Sequence, residues 1–528
     1  MTHAAQTTGV GTEHRGALET LARRGSASVL GAGFSAIFGI LLVVVVTNGF
    51  TPTVAGTLFA ATSAFLILES VALLGTDTGL VKWMPAQIAS GRPQDLPRTL
   101  TVAIAPVLAF ALVIGVGLYA VAPSVSGHLV GEDAADVMTT MLRVVAIIMP
   151  VASVYDQLVA ATRGTGSMRP TVMVENIGRL GLQALAVLVA MLAGGGPLML
   201  ALAWSLPYAV GLVAVIVWLR KLVRARMRGA TGVVTDWLVV AREFWAYTAP
   251  RAIARVTQTA LKRSDIVLVA ALASPAQAAL YTAATRFIVL GQLFVQSVQQ
   301  ALSPQIAALF ARDESRAANS VYQAATLWSM IAAWPLYLVL AGFSPTLMGI
   351  FGEQYDVATD VVLILALTML LATACGPVDS VLLMAGHSWL SLRNSVVSLA
   401  VNVALNFILI PIYGIRGAAI SWSVAIVVRN LQPLFQVRRH LSMWPLDRIH
   451  GVVALGAVAC FGSVALVGGL TDFPVVIDLA MLTVASLIYL YGVWTWRDRL
   501  GLGAFRAALR RRGRARQARV RERCTLST

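Results

Sequence analysis

Hydrophobic runs of about 20 residues recur from Ser26 to Trp494, separated by short polar breaks. A run of that length crosses the ~30 Å hydrocarbon core of a bilayer as one α-helix, so the chain reads as an all-α polytopic membrane protein. Composition agrees: 58% of the 528 residues are hydrophobic and only 12% are charged. The widest break, around Arg220 to Glu243, has room for little more than one surface helix, which leaves no place for a soluble catalytic domain. The polar first 25 residues lack an apolar core with a cleavage site, so the first span is expected to start insertion. Cys375 and Cys460 lie in apolar runs and Cys524 in a basic tail, a distribution that fits neither a disulfide framework nor a metal site. No cofactor or metal is expected.

The runs predict about fourteen transmembrane helices. Six fall within residues 26–219, six within 244–437 and two within 438–494; a polar N-terminal tail (1–25), a basic linker (220–243) and a basic tail (495–528) complete the chain. Charge in the breaks orients them, because loops facing the cytoplasm retain Lys and Arg. Arg23 and Arg24 precede span 1, Lys82, Arg92 and Arg98 follow span 2, Arg163 and Arg169 follow span 4, and Arg220 to Arg228 follow span 6. Arg312 and Arg316, Arg393, Arg438 and Arg439 continue the series, whereas the intervening loops carry Glu132, Asp133 and Asp136 or Glu353, Asp356 and Asp360. Arg416 alone sits outside the pattern. Both termini are therefore expected in the cytoplasm of a cell whose plasma membrane holds the protein, and the net charge of +16 is mostly a topology signal.

Two internal matches point to a duplication. PTVAGTLFAAT from Pro52 aligns with PAQAALYTAAT from Pro275, and PVASV from Pro150 with PVDSV from Pro377, at offsets of 223 and 227 residues. Copies that begin six spans apart keep the same orientation, so two six-helix lobes related by a pseudo-twofold axis along the membrane normal are expected, with spans 13 and 14 as additions. A cleft between lobes is the physical requirement for alternating access.

Ionisable side chains at membrane depth are expensive unless they are paired or face water. Span 7 is the richest: Arg251, Arg255, Gln258, Lys262 and Asp265 fall on one stripe ~80° wide. That stripe is expected to line the cleft, with Arg286 of span 8 contributing; the alternative has Arg251 and Arg255 snorkelling to headgroups and Lys262 pairing with Asp265. Placed at one depth by the turn near Pro275, Asp265 and Arg286 are expected to pair. Glu69, Asp156 and Asp379 are further candidates for ion coupling or for structural pairing, and Glu175 with Arg179, at i,i+4 spacing, for a local ion pair. The tail from Trp496 carries 11 Arg, a density suited to anionic inner-leaflet lipid rather than to nucleic acid.

The string NVALNFILIPIYGIRGAAISWSVA from Asn402 resembles the oligosaccharide flippases of the multidrug, oligosaccharidyl-lipid and polysaccharide exporter superfamily. LGTDTGLVKW after span 2, the Asp of SDIVLVAAL in span 7 and the Ala-Leu-Tyr opening span 8 extend the resemblance. It implies a flippase that moves a polyprenyl-pyrophosphate-linked oligosaccharide from the inner to the outer leaflet, alongside polysaccharide polymerase machinery. The basic stripe fits an anionic headgroup. Span 1 carries no basic residue, unlike the lipid II flippases of that superfamily. The competing readings are a cation-coupled multidrug exporter, which would place acidic groups deep in the cleft, and a membrane polymerase or glycosyltransferase of the same pathway. The latter requires catalytic groups in a large outer loop, which the sequence lacks.

The charge pattern has a direct test. A cysteine replacing Gln354 should react with an impermeant thiol reagent added to intact cells, and one replacing Thr231 should not; outside labelling at Thr231 would overturn the topology.

Overall fold

The computed structural model describes residues 31–228, 234–470, 474–497 and Leu500. The N-terminal tail, the middle of the basic linker including Thr231, and the Arg-rich tail with Cys524 lie outside the described residues. Among these, every regular element is a helix. The membrane helices are α1 (Gly31–Gly49), α2 (Pro52–Ala72), α4 (Leu96–Val130), α5 (Glu132–Gly164), α6 (Thr171–Leu192) and α7 (Pro197–Met227), with a short α3 (Thr76–Ala89) after α2. They continue as α8 (Trp237–Leu272), α9 (Pro275–Phe310), α10 (Ser315–Gly342), a short α11 (Ser344–Gly349), α12 (Thr359–Ala374), α13 (Val378–Met384), α14 (Ser388–Tyr413) and α15 (Ile415–Leu441). The last two are α16 (Arg448–Gly468) and α17 (Val475–Thr495).

Thirteen of the described segments are long and apolar enough to cross a bilayer. The set omits α8, which at 36 residues has the length but carries charge along most of it. The expected fourteen thus reduce to thirteen apolar spans and one long polar helix. Span 10 is divided where Gly376 and Pro377 interrupt it: Gly376 takes φ +64°, and Pro377 has no N–H with which to continue the ladder.

α4 packs along α5 and α5 along α7, while α10 packs on α9 and α12, and α14 along α15. α2 is the seam between these groups, since it lies against α5 on one side and against both α8 and α9 on the other. α16 leans on α10, where Ala465 meets Gly342, and the Tyr489 hydroxyl of α17 donates to the Ile331 carbonyl at 3.3 Å.

Local sequence explains how the seam closes. Thr51 and Ser274 each cap their helix with a side-chain oxygen, on the N–H groups of Val54 and Gln277, and each is followed by Pro at the first helical position. Downstream, Gly56 of α2 lies on the backbone of Pro275, beside the amide of Ala279. Gly56 and Ala279 are the positions that the repeat aligns, and a contact between aligned positions is what a twofold axis along the seam would produce. At the other end of α2, Leu74 and Gly75 adopt φ +50° and +73°, turning the chain sharply into α3. Gly75 is doubly constrained, because a side chain there would also strike the backbone of Thr248 and Ala252 in α8.

The start of α8 is tethered as well. Asp95, fully buried before α4, accepts from the Thr235 N–H at 2.9 Å and from its hydroxyl at 2.6 Å, and Arg98 donates to the Thr235 carbonyl. Phe244 and Thr248 then pack on Gly79 of α3. The start of α8 is thereby held on α3 and on the start of α4, α2 packs along the helix as well, and Ser264 and Asp265 bond to α14.

The Gly56 contact should tolerate no side chain. Gly56→Val is expected to cost about 1–3 kcal/mol through overpacking, read as a lower melting temperature of the purified protein. Gly117→Val, where open space faces the helix, should leave melting unchanged.

Candidate functional site

Where α2, α5 and α8 converge they enclose a cavity of about 260 Å³. Leu66, Glu69, Ser70 and Leu73 line it from α2, Asp156 from α5, and Arg255, Gln258, Thr259, Lys262 and Arg263 from α8. Helical periodicity accounts for the α8 set, since residues 255, 258, 259 and 262 recur on one face. The cavity therefore gathers three of the expected substrate ligands (Arg255, Gln258 and Lys262) with two of the expected ion-coupling carboxylates (Glu69 and Asp156). Thr259 and Arg263 join them, and neither was singled out by the stripe.

The charges are unevenly committed. Arg255 donates from Nη1 to Asp77 Oδ2 at 2.7 Å, an ion pair that joins α8 to α3. Lys262 and Arg263 form no ion pair with a described residue. Glu69 is 2% exposed, and its Oε1 has no hydrogen-bond partner among the described residues. A compact site of free cations beside a carboxylate with an open oxygen is suited to an anion that arrives with a displaceable proton or counter-ion.

Beside the cavity, Glu175 accepts from Arg179 at 2.5 and 2.9 Å and from the Tyr155 hydroxyl at 2.5 Å. Arg179 also donates to Gln183 at 3.0 Å and stacks on the Tyr208 ring with 4.5 Å to its centroid. The i,i+4 ion pair expected for these two residues is present, and it is saturated by its neighbours. The wide π-type first turns of α6, Thr171–Arg179, carry both partners.

The remaining candidates lie elsewhere. Arg251 sits one turn before Arg255 and stacks on Tyr247 at 4.4 Å, the ring that also takes Lys82 at 3.4 Å, outside the cavity lining. Arg286 belongs to α9 and does not line the cavity; its buried Nε has no partner among the described residues. Asp379, on α13, accepts from Ser391 at 2.6 Å.

Asp265 departs from expectation: it does not pair with Arg286. Its Oδ1 accepts from Asn406 at 2.7 Å and its Oδ2 from the Tyr281 hydroxyl at 3.3 Å, while Asn406 also donates to Asn402 at 3.2 Å. Asp265 occupies the edge of the polar stripe that turns towards α14, so amides of α14 and a phenol of α9 hold its carboxylate. Lys262, within the stripe, lines the cavity together with α2. Pairing of Lys262 with Asp265 is absent for the same reason.

A profile of the family described as "Polysaccharide biosynthesis protein" matches residues 92–360. Among curated proteins, the chain is 24% identical over 234 residues to the probable low-salt glycan biosynthesis flippase Agl15 of Haloferax volcanii. That match covers 43% of this chain and 50% of Agl15, so the chain spans about half the length of the curated relative. Among solved structures, the lipid II flippase MurJ in an inward closed conformation aligns with a TM-score of 0.69 at 14% identity, covering 89% of this chain and 99% of MurJ. An inward-facing multidrug resistance MATE family transporter of the MOP superfamily aligns at 0.65, also at 14% identity, over 77% of this chain and 94% of that one. A MOP superfamily transporter from Pyrococcus furiosus, whose binding pocket is described as of reverse polarity, aligns at 0.56 and 15% identity over 80% and 95%. These likenesses define the fold, that of a multi-pass membrane transporter. The chain belongs to the polysaccharide biosynthesis protein family and is built on the helical fold of the MOP superfamily.

Proposed function

We propose that this protein moves a polyprenyl-pyrophosphate-linked oligosaccharide from the inner to the outer leaflet by alternating access, for the assembly of cell-surface polysaccharide. The observation that carries this reading is the pair of uncommitted cations, Lys262 and Arg263, in the cavity at the seam. A pyrophosphate offers several acceptor oxygens, and guanidinium and ammonium groups in a poorly hydrated site are its natural ligands. Residues 26–219 and 244–437 act as the two lobes. The cavity, about 260 Å³, has the volume of only about nine waters at ~30 Å³ each, so the lobes must part to admit a glycan. The prenyl tail stays in the bilayer beside the cleft. Glu69 and Asp156, which share the cavity with the cations, are the carboxylates assigned to ion coupling. Asp265 and Asp379, hydrogen-bonded away from it, are assigned structural roles, and Arg251 and Arg286 support the path on either side. Both termini face the cytoplasm in this scheme, and the Arg-rich tail rests on the inner leaflet.

One observation favours the multidrug-exporter reading, namely the acidic pair Glu69 and Asp156 in the same cavity. The two readings separate in one experiment. Lys262→Gln with Arg263→Gln should reduce delivery of lipid-linked glycan to the outer leaflet tenfold or more, at roughly 1.5–3 kcal/mol per lost charge-assisted hydrogen bond, with expression unchanged. Undiminished glycan delivery in that double variant, together with cationic-dye efflux that fails in Glu69→Gln, would establish the exporter instead.

The Asp77–Arg255 pair makes a second prediction. Because removing one partner strands the other, Asp77→Asn alone should lower the melting temperature more than Asp77→Asn combined with Arg255→Gln. Arg255 is 37% exposed, so the coupling should be no more than about 1 kcal/mol in a double-mutant cycle.

A further inference from the structure

A second cavity lies between the start of α4 and the end of α7. It measures about 420 Å³, and its walls are apolar: Leu100 from α4, Leu158 from α5, and Ile216 and Val223 from α7. Arg220 and Arg224 lie on its rim, one turn apart on α7, both exposed and neither forming an ion pair with a described residue. None of these residues belongs to the cavity at the seam.

Depth decides what could reach it. Arg220 stands 23 residues after Pro197, the start of α7, hence ~35 Å along the helix axis. Since the hydrocarbon core is ~30 Å thick, that places Arg220 at headgroup level, on the side that the charge pattern assigns to the cytoplasm. The apolar walls therefore adjoin the acyl region while the two guanidinium groups stand among headgroups.

We infer that this groove is a binding site for an anionic glycerophospholipid of the inner leaflet, one acyl chain lying against Ile216 and Leu100 and the phosphate held by Arg220 and Arg224. Charge complementarity selects the anionic headgroup: two adjacent cations facing no acid repel the ammonium of a zwitterionic lipid and gain from a net negative one. The groove joins the end of α7, from which the linker leaves, to the start of α4, which carries the Asp95 and Arg98 contacts to Thr235. A lipid seated there braces the anchor of α8.

Thermal melting of the full-length protein in detergent, supplemented with phosphatidylglycerol or with phosphatidylcholine, tests the site. The wild type should melt several degrees higher with phosphatidylglycerol. R220Q/R224Q should lose that gain, as should I216W, which fills the groove; R312Q/R316Q, at the same membrane face on another loop, should keep it. Native mass spectrometry should show phosphatidylglycerol retained by the wild type and depleted from R220Q/R224Q. No preference in the wild type, a gain that survives in R220Q/R224Q, or an equal loss in R312Q/R316Q overturns the assignment. Retention of the gain in I216W would reduce the effect to surface charge and overturn it likewise.

Discussion

A helix that carries Arg251, Arg255, Lys262, Arg263 and Asp265 cannot face hydrocarbon, and the rest of the architecture answers that constraint. α8 is covered by α2, α3, α4 and α14. Each charge is then dealt with locally: Arg251 over an aromatic ring, Arg255 against Asp77, Asp265 against Asn406 and Tyr281. Three of these charges, Arg255, Lys262 and Arg263, line the cavity, and of the three Lys262 and Arg263 have no ion pair with a described residue. Residual charge and residual space coincide, and that coincidence is what makes the seam the candidate site.

The sequence made some of this legible and hid the rest for physical reasons. Apolar length announces a spanning helix because backbone groups in lipid must be satisfied within their own segment, so the spans could be located without knowledge of their neighbours. The break at Gly376-Pro377 was equally local. Grouping of Arg255, Gln258 and Lys262 followed from the helical period alone. Asp265 was misassigned because a stripe ~80° wide on a helix between two neighbours is shared by both, and periodicity does not say where the division falls. Its partner Asn406 lies 141 residues away in sequence.

Asp77 illustrates a different kind of blindness. It sits on α3, a 14-residue helix too short to register as a span, and it meets Arg255 across 178 residues. The left-handed turn at Leu74 and Gly75 brings it to α8, and nothing in the composition of that segment marks the turn as a contact with α8. The LGTDTG string that carries the turn bears a family likeness in sequence; the contact it makes with α8 is apparent only in three dimensions.

The anchorage of α8 at Thr235 has a mechanical consequence. The chain leading into α8 is clamped by Asp95 and Arg98, and the clamp is extended through Phe244, Thr248 and Arg255. The next fixed points, Ser264 and Asp265, belong to the other side. Between Arg255 and Ser264 lie about two helical turns, which include Gln258, Thr259, Lys262 and Arg263. In engineering terms the stretch between the two clamps is also the stretch that lines the cavity, so whatever grips those side chains bears on the helix midway between its fixed points.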